Sequence, residues 1–364
     1  MYLRMQRAMQ VCGLAVAGVL MLAADWAQAE WVLDLGRTVQ ARGVDIIVPG
    51  YSVPSFVDWN SDGLKDLIVG EGGNYRRPAV RIYLNEGTAA QSQFSGFFYV
   101  RKSDGSILSY PGYACICRPL GLFPRVVDWN NDQRKDLLVG QLDGTVRVYQ
   151  NIGADESPVF DDGVLLQVGT TSKSKIDVGD IAAPAVVDWN GDGRKDLLVG
   201  AENGRVRCYL NEGTDAEPDF RQAGWVRKED GSILVVSHEG ASPVALDVDG
   251  DGRKDVISGN TPGELLLYRN VGSDDAPSFS GYSHVEADGA PIAVATGVDA
   301  ATGASPRSRP FVCDWNSDGY LDVLIGAGDG RVYLYQGVPE AGTLGLLVAG
   351  AVMVLRRQCR RSRR

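Results

Sequence analysis

DWNGDGRKDLLVG, residues 188–200, places Asp or Asn side chains at every second position of a turn and then runs into a short apolar stretch ending in Gly. The pattern recurs as DWNSDGLKD from Asp58, DWNNDQRKD from Asp128, DVDGDGRKD from Asp247 and DWNSDGYLD from Asp314. Successive copies start 70, 60, 59 and 67 residues apart, so each unit has room for several strands. A repeat of that length predicts a closed β array such as a propeller.

The flanks separate this reading from a helical calcium loop. An EF-hand-like loop needs a bidentate acid at position 12 and a helix on each side. Here position 12 is Val69, Val139, Val199, Ser258 and Ile325. Upstream stand PSFVD, PRVVD, PAVVD, PVALD and PFVCD, and downstream LIVG, LLVG, LLVG, VISG and VLIG. Short β-branched runs bounded by Pro and Gly predict strands, so the loop joins the two strands of a hairpin. A turn follows, as in Leu142-Asp143-Gly144, Glu202-Asn203-Gly204 and Gly328-Asp329-Gly330, leading into alternating runs such as TVRVYQN and RVRCYLN. A further segment with its own Asp-Gly turn, YVRKSDGSIL from Tyr99 or WVRKEDGSIL from Trp225, brings the count to about four strands per unit, the size of a propeller blade.

The loop chemistry is legible from its donors. Side-chain oxygens fall at positions 1, 3, 5 and 9: Asp58, Asn60, Asp62 and Asp66; Asp128, Asn130, Asp132 and Asp136; Asp188, Asn190, Asp192 and Asp196; Asp247, Asp249, Asp251 and Asp255; Asp314, Asn316, Asp318 and Asp322. All-oxygen donors with no His or Cys fit a hard cation, and calcium accepts such a protein cage more readily than magnesium. About five structural Ca2+ ions are therefore expected.

These units resemble FG-GAP/VCBS-type repeats, the family of integrin-α-like and bacterial secreted β-propellers. The resemblance covers residues 31–337 and implies that the backbone carbonyl of position 7 completes each site, here Leu64, Arg134, Arg194, Arg253 and Tyr320. Relatives often have seven blades, whereas five units are counted here: 31–88, 94–154, 157–214, 217–274 and 278–337. The expected fold is an all-β propeller of about five four-stranded blades with one calcium loop each. The amino-terminal stretch WVLDLGRTVQARGVDIIVPGYSVP is expected to close the ring by pairing with the last unit, which removes open sheet edges.

Charge agrees with metal loading. Lys and Arg total 36 and Asp and Glu 46; with the two end segments set aside, 28 basic residues face 44 acidic ones, a balance of −16. The aspartates at loop positions 1, 3, 5 and 9 number 16, so they account for the whole excess. The five sites are expected to differ. The fourth has four carboxylates, and the second has Gln133 where the others have Gly63, Gly193, Gly252 and Gly319. If that position needs a positive φ, Gln carries a steric cost and the second site is the weakest.

Both ends read as export signals. Residues 1–29 combine Arg4 and Arg7, the apolar run VCGLAVAGVLMLAA and the cleavage signal Ala27-Gln28-Ala29, the pattern of a secretory signal peptide cut before Glu30, with an uncleaved amino-terminal anchor as the alternative. Residues 338–364 hold Val338-Pro339-Glu340, an apolar run from Leu344 to Leu355 and RRQCRRSRR. That layout resembles the PEP-CTERM sorting tail of bacterial exosortase substrates, with Ala341 in place of the second Pro; a short membrane anchor is the simpler alternative. Signal peptidase and exosortase would be processing partners. The expected location is the bacterial envelope, cell surface or extracellular matrix, with transient or permanent membrane anchoring.

Of six cysteines, Cys208 and Cys313 are expected to be buried free thiols, while Cys115-Ile116-Cys117 leaves both a disulfide and free thiols open. The two histidines, His238 and His284, read as surface residues, and no HExxH, GxSxG or phosphate loop is present. No catalytic residue is assigned, and no basic stripe points to nucleic acid. The indoles at loop position 2, Trp59, Trp129, Trp189 and Trp315, admit two readings: apolar lids over the loops, or an exposed ring that stacks on sugars. The functional expectation is an exported calcium-binding adhesion or binding module for carbohydrate or protein. An extracellular polysaccharide lyase or hydrolase on the same scaffold is the alternative.

Overall fold

The computed structural model describes residues 31–72, 77–110, 121–295 and 305–339. Among them there is no helix, and the strands form five sheets of four or more. Sheet one holds Ser52–Val57, Asp66–Glu71, Val80–Tyr83 and Phe98–Tyr99, hydrogen-bonded in chain order. Sheet two repeats this with Phe123–Val127, Asp136–Gly140, Val146–Tyr149 and Val164–Leu165. Sheet three has Ala183–Val187, Asp196–Gly200, Val206–Asn211 and Phe220–Trp225, widened at its outer edge by Gln167–Val168 and Ser174–Lys175. Sheet four comprises Ser242–Leu246, Asp255–Gly259, Leu265–Asn270 and Phe279–His284. Sheet five takes three strands from the carboxy-terminal region, Arg309–Cys313, Asp322–Gly326 and Val332–Tyr335. Its outermost strand, Arg37–Thr38, comes from the other end of the described chain.

The first strands of the five sheets touch in sequence, and Arg309–Cys313 returns to touch Ser52–Val57, so the array is a closed ring. Arg37 pairs with Leu334 and Thr38 with Tyr333, closing the ring with the strand expected to do so. One feature departs from the units cut from the sequence. The outer strand of each sheet begins the next unit: Phe98–Tyr99 lies in unit 94–154 yet pairs with Val80–Tyr83 of sheet one. Units and sheets are offset by one strand, and that offset leaves the first unit's leading strand free to complete the last sheet.

The apolar runs are uniformly hydrophobic because the second strand of every sheet is covered on both faces. Leu67 and Val69 pack toward sheet five with Trp315, Leu324 and Val332. Ile68, between them, points the other way and joins Leu137, Val139 and Phe160 of sheet two. Side chains alternate across a strand, so each run feeds two interfaces. Equivalent clusters fill the other gaps. Near the axis, Tyr51, Val53, Phe123, Ile181 and Ala183 form a separate plug.

The Gly that ends each apolar run is required by the neighbouring sheet. A methyl group on Gly70, Gly140, Gly200, Gly259 or Gly326 would collide with the backbone carbonyl of Leu122, Ala182, Ala241, Ser308 or Ser52, respectively. None of the five has a positive φ, so the constraint is space alone. The last of these contacts, from sheet five to sheet one, repeats the others and shows that the ring closes without distortion of the interface. Gly140→Ala should therefore destabilise the protein by about 1–3 kcal/mol, the usual cost of overpacking. Urea denaturation at fixed calcium measures this, and an unchanged midpoint would contradict the interface geometry.

Candidate metal centre

Each aspartate loop joins the first two strands of a sheet and is coiled by two left-handed residues. Position 4 is Ser61, Asn131, Gly191, Gly250 and Ser317, with φ of 59°, 57°, 73°, 75° and 59°. At position 6, Gly63, Gln133, Gly193, Gly252 and Gly319 have φ of 89°, 70°, 84°, 83° and 89°. Gln133 thus occupies a conformation that favours Gly, as its place among the aligned loops anticipated.

Backbone amides fix the direction of the donors. The position-6 N–H donates to Oδ2 of position 1, from Gly63 to Asp58 at 3.0 Å, Gln133 to Asp128 at 3.0 Å, Gly193 to Asp188 at 2.9 Å, Gly252 to Asp247 at 2.8 Å and Gly319 to Asp314 at 3.1 Å. The N–H of position 7 (Leu64, Arg134, Arg194, Arg253 and Tyr320) donates to Oδ1 of position 5 (Asp62, Asp132, Asp192, Asp251 and Asp318). The position-5 N–H in turn donates to the side chain of position 3: Asn60, Asn130, Asn190, Asp249 and Asn316. Positions 1, 3 and 5 are therefore held together inside one turn.

Position 9 plays a different part. Asp66, Asp136, Asp196, Asp255 and Asp322 are at most 2% exposed, whereas their loops are largely at the surface. Their Oδ1 atoms accept N–H bonds from Asn85, Asn151, Asn211, Asn270 and Gly337 of the third strand or just beyond it, at 2.6–2.8 Å. In four loops Oδ2 accepts the N–H of the position-2 Trp. Burial raises the pKa of all five carboxyls, and the donated amides offset this only in part. Neighbouring loop carboxylates also push upward, as Asp62 and Asp58 do on Asp66.

The donor set fits a hard cation. In the fourth loop, oxygens of Asp247, Asp249 and Asp251 lie within 4.8 Å of one another. In the first, Asp58 Oδ1 is buried with no hydrogen-bond partner. Repelling carboxylates and an orphaned oxygen are what a divalent ion would satisfy. Arginines rim three loops: Arg134 reaches Asp132 at 2.5 Å, Arg194 pairs with Asp192, and Arg253 pairs with Asp251.

The four indoles at position 2 are only 3–8% exposed. Trp59 packs against Phe160, Trp129 against Phe220, Trp189 against Phe279 and Trp315 against Phe56 and Phe94. The sugar-stacking ring is overturned: the indoles fill the interfaces between sheets. Cys208 is buried and Cys313 partly so; both are free, and burial drives both thiol pKa values up. Cys115, Cys117, residues 1–29 and the tail beyond Pro339 lie outside the described residues.

Two sets of residues went unassigned in the sequence. Asn85, Asn151, Asn211 and Asn270 each use the side-chain carbonyl to accept two further amides, such as Gly153 and Val159 on Asn151, which organises the connection to the fourth strand. Asp155, Asp215 and Asp274 accept the position-8 N–H of Lys135, Lys195 and Lys254. The signal for both was the Asn that recurs 15 residues after position 9 in three units, with an Asp four residues later.

The FG-GAP-like repeat family matches residues 128–199 and 188–258, two overlapping stretches that each begin at the first Asp of a loop. Over residues 128–258 the chain carries FG-GAP-like repeats. Integrin alpha-4 of Xenopus laevis is 31% identical over 159 residues, a match that takes in 40% of this chain and 14% of that protein. The aligned part of the chain thus spans about one-seventh of that relative's length. Among solved structures, BBS1N in complex with ARL6DN, in lead- and mercury-soaked crystals, aligns at TM-scores of 0.36 and 0.35 with 10% and 11% identity. Each alignment covers 86% of this chain and 98% of the other. That likeness is too remote to carry an argument.

Gln133→Gly should stabilise the FG-GAP ring by about 1 kcal/mol, by relieving a side chain held in the left-handed region. Chemical denaturation of the two proteins at equal calcium reads the difference; a destabilised variant would contradict the strain.

Proposed function

We propose that this chain is an exported, calcium-stabilised propeller that serves as a binding or adhesion module, with Ca2+ held in the five aspartate loops. The observation that supports this best is the fivefold repetition of one inward-turned donor set, Asp, Asn or Asp, and Asp at positions 1, 3 and 5, beside a buried Asp at position 9. The position-7 carbonyls would supply the remaining protein oxygens. The ion would neutralise charge within each loop and make the loop rigid. Kinship of the repeats with part of an integrin α chain favours recognition of a protein or carbohydrate outside the cell. Residues 1–29 would direct export, and 338–364 would hold the protein transiently or permanently at the membrane or pass it to a sorting enzyme. Loops on the ring, rather than the buried indoles, would meet the ligand.

An ion that binds only the folded chain stabilises it by about 2.7 kcal/mol per site at a hundredfold excess over its dissociation constant. Excess EGTA should therefore lower the melting temperature by at least about 5 °C, and calcium should restore it. An unchanged melting curve would reject the role given to calcium. For the ligand, a glycan and extracellular-protein array probed with the calcium-loaded chain should give retention without cleavage; new reducing or unsaturated ends on a polysaccharide would reject the binding-module reading.

A further inference from the structure

The chain has two histidines, and both lie beside one carboxylate. His284 Nε2 is 3.5 Å from Glu264 Oε1, and His238 Nδ1 is 3.9 Å from Glu264 Oε2. Glu264 immediately precedes the third strand of sheet four, His284 ends the fourth, and His238 lies in the turn before the first. Glu264 follows the strand Asp255–Gly259, whereas the aspartate loop precedes it, so the trio occupies the opposite end of the sheet from that loop.

The ring does not require these residue types. Strand pairing places Ala79, Thr145, Arg205 and Arg331 where sheet four has Glu264. The cross-strand pair Leu266–His284 corresponds to Arg81–Tyr99, Arg147–Leu165, Arg207–Trp225 and Tyr333–Thr38. In sheet three the guanidinium groups of Arg205 and Arg207 lie 5.4 and 3.9 Å from the centre of the Trp225 ring. Sheet four replaces two cations and an indole with a carboxylate, an apolar residue and an imidazole. The local charge is inverted, and ligand-forming groups appear in the same place.

Surrounding residues hold Glu264 and set the backbone at His238. The fully buried Asn260 donates from Nδ2 to Glu264 Oε2 at 2.7 Å and to the Ser237 carbonyl at 3.1 Å, while its Oδ1 accepts the Glu264 N–H at 2.8 Å. Ser237 Oγ lies 3.0 Å from His238 Nδ1, and the Tyr282 ring stands edge-on to His284 with centroids 5.7 Å apart. His238 and Glu239 have φ of 63° and 65°, two successive non-glycine residues in the left-handed region. Such conformations persist where surrounding contacts enforce them.

We propose that His238, Glu264 and His284 bind one late first-row transition-metal ion, of the Zn2+ or Cu2+ class, with a coordination position open to solvent. Two imidazoles and a carboxylate suit such ions, and the nitrogens distinguish the site from the all-oxygen calcium loops. Donors around a tetrahedral zinc at about 2.0–2.1 Å stand about 3.3 Å apart, so His284 and Glu264 need little contraction, whereas His238, which faces the other carboxylate oxygen, has to swing in to complete the site. The His238 side chain is 62% exposed, and it gives up its Ser237 Oγ contact as it turns toward His284 and the ion.

The test is calorimetric titration of zinc into the untagged full chain in excess calcium, which keeps the aspartate loops occupied. One zinc per chain is expected, with His284→Ala, His238→Ala and Glu264→Gln each weakening binding at least about tenfold. Glu156→Gln, an exposed carboxylate between the third and fourth strands of sheet two, should leave it unchanged. Cobalt(II) added to the unmutated chain gives a second readout, since ligand-field bands of a low-coordinate nitrogen and oxygen site should appear and be displaced by zinc. Absence of calcium-resistant zinc binding, binding indifferent to His284→Ala and Glu264→Gln, or a cobalt spectrum like that of the aqueous ion would overturn the proposal.

Discussion

One buried carboxylate per sheet carries the architecture. The aspartate at loop position 9 is removed from water, and its Oδ1 accepts a backbone N–H at the end of the third strand. In four sheets Oδ2 also holds the position-2 amide, tying the start of the loop to its end. Charge-assisted bonds of this kind are among the stronger ones in proteins, and leaving their partners unmet is costly. Because burial raises the carboxyl pKa despite these bonds, the ionised form gains from any further positive charge nearby. The proposed calcium ions would supply that charge at each turn of the ring.

From this clamp the order spreads outward. The Asn at the end of the third strand passes the constraint to the next connection through its side-chain carbonyl. Lysines at position 8 pass it between sheets: Lys135 Nζ donates to Ser61 Oγ at 2.6 Å, Lys195 Nζ to Asn131 Oδ1 at 2.5 Å and Lys65 Nζ to the Asp314 carbonyl at 2.7 Å. Loops five, one, two and three are thereby chained together. The chain stops at loop four: Gly191 of loop three offers no side chain to Lys254, which pairs with Asp274, and position 8 of loop five is Leu321. Close approach at Gly70 and its four counterparts then sets the spacing of the sheets.

What the sequence revealed was local. The alternation of oxygen-bearing side chains, the strand runs on either side and the Asp-Gly turns all act within a dozen residues, and the structure has them in those places. The left-handed requirement at Gln133 was legible for the same reason. The sheet boundaries were not, because the pairing of Phe98–Tyr99 with the preceding unit is a tertiary choice. Nor was the fate of the indoles, since an amphipathic ring in a loop fits a lid, an interface or an exposed platform equally well; only Phe160, Phe220, Phe279 and Phe56 opposite them decide it. The His–Glu trio was hidden by sequence separations of 20 and 26 residues within a single non-repeating feature of sheet four.

The central claim is that a hard cation sits at the focus of each aspartate loop. Crystals grown with calcium, measured at a wavelength where its anomalous signal is strong, test it directly. The account predicts five peaks, each about 2.3–2.6 Å from oxygens of positions 1, 3, 5 and 9 and from the position-7 carbonyl. Loops filled only by water, or peaks that leave the buried position-9 carboxylates uncoordinated, would contradict it.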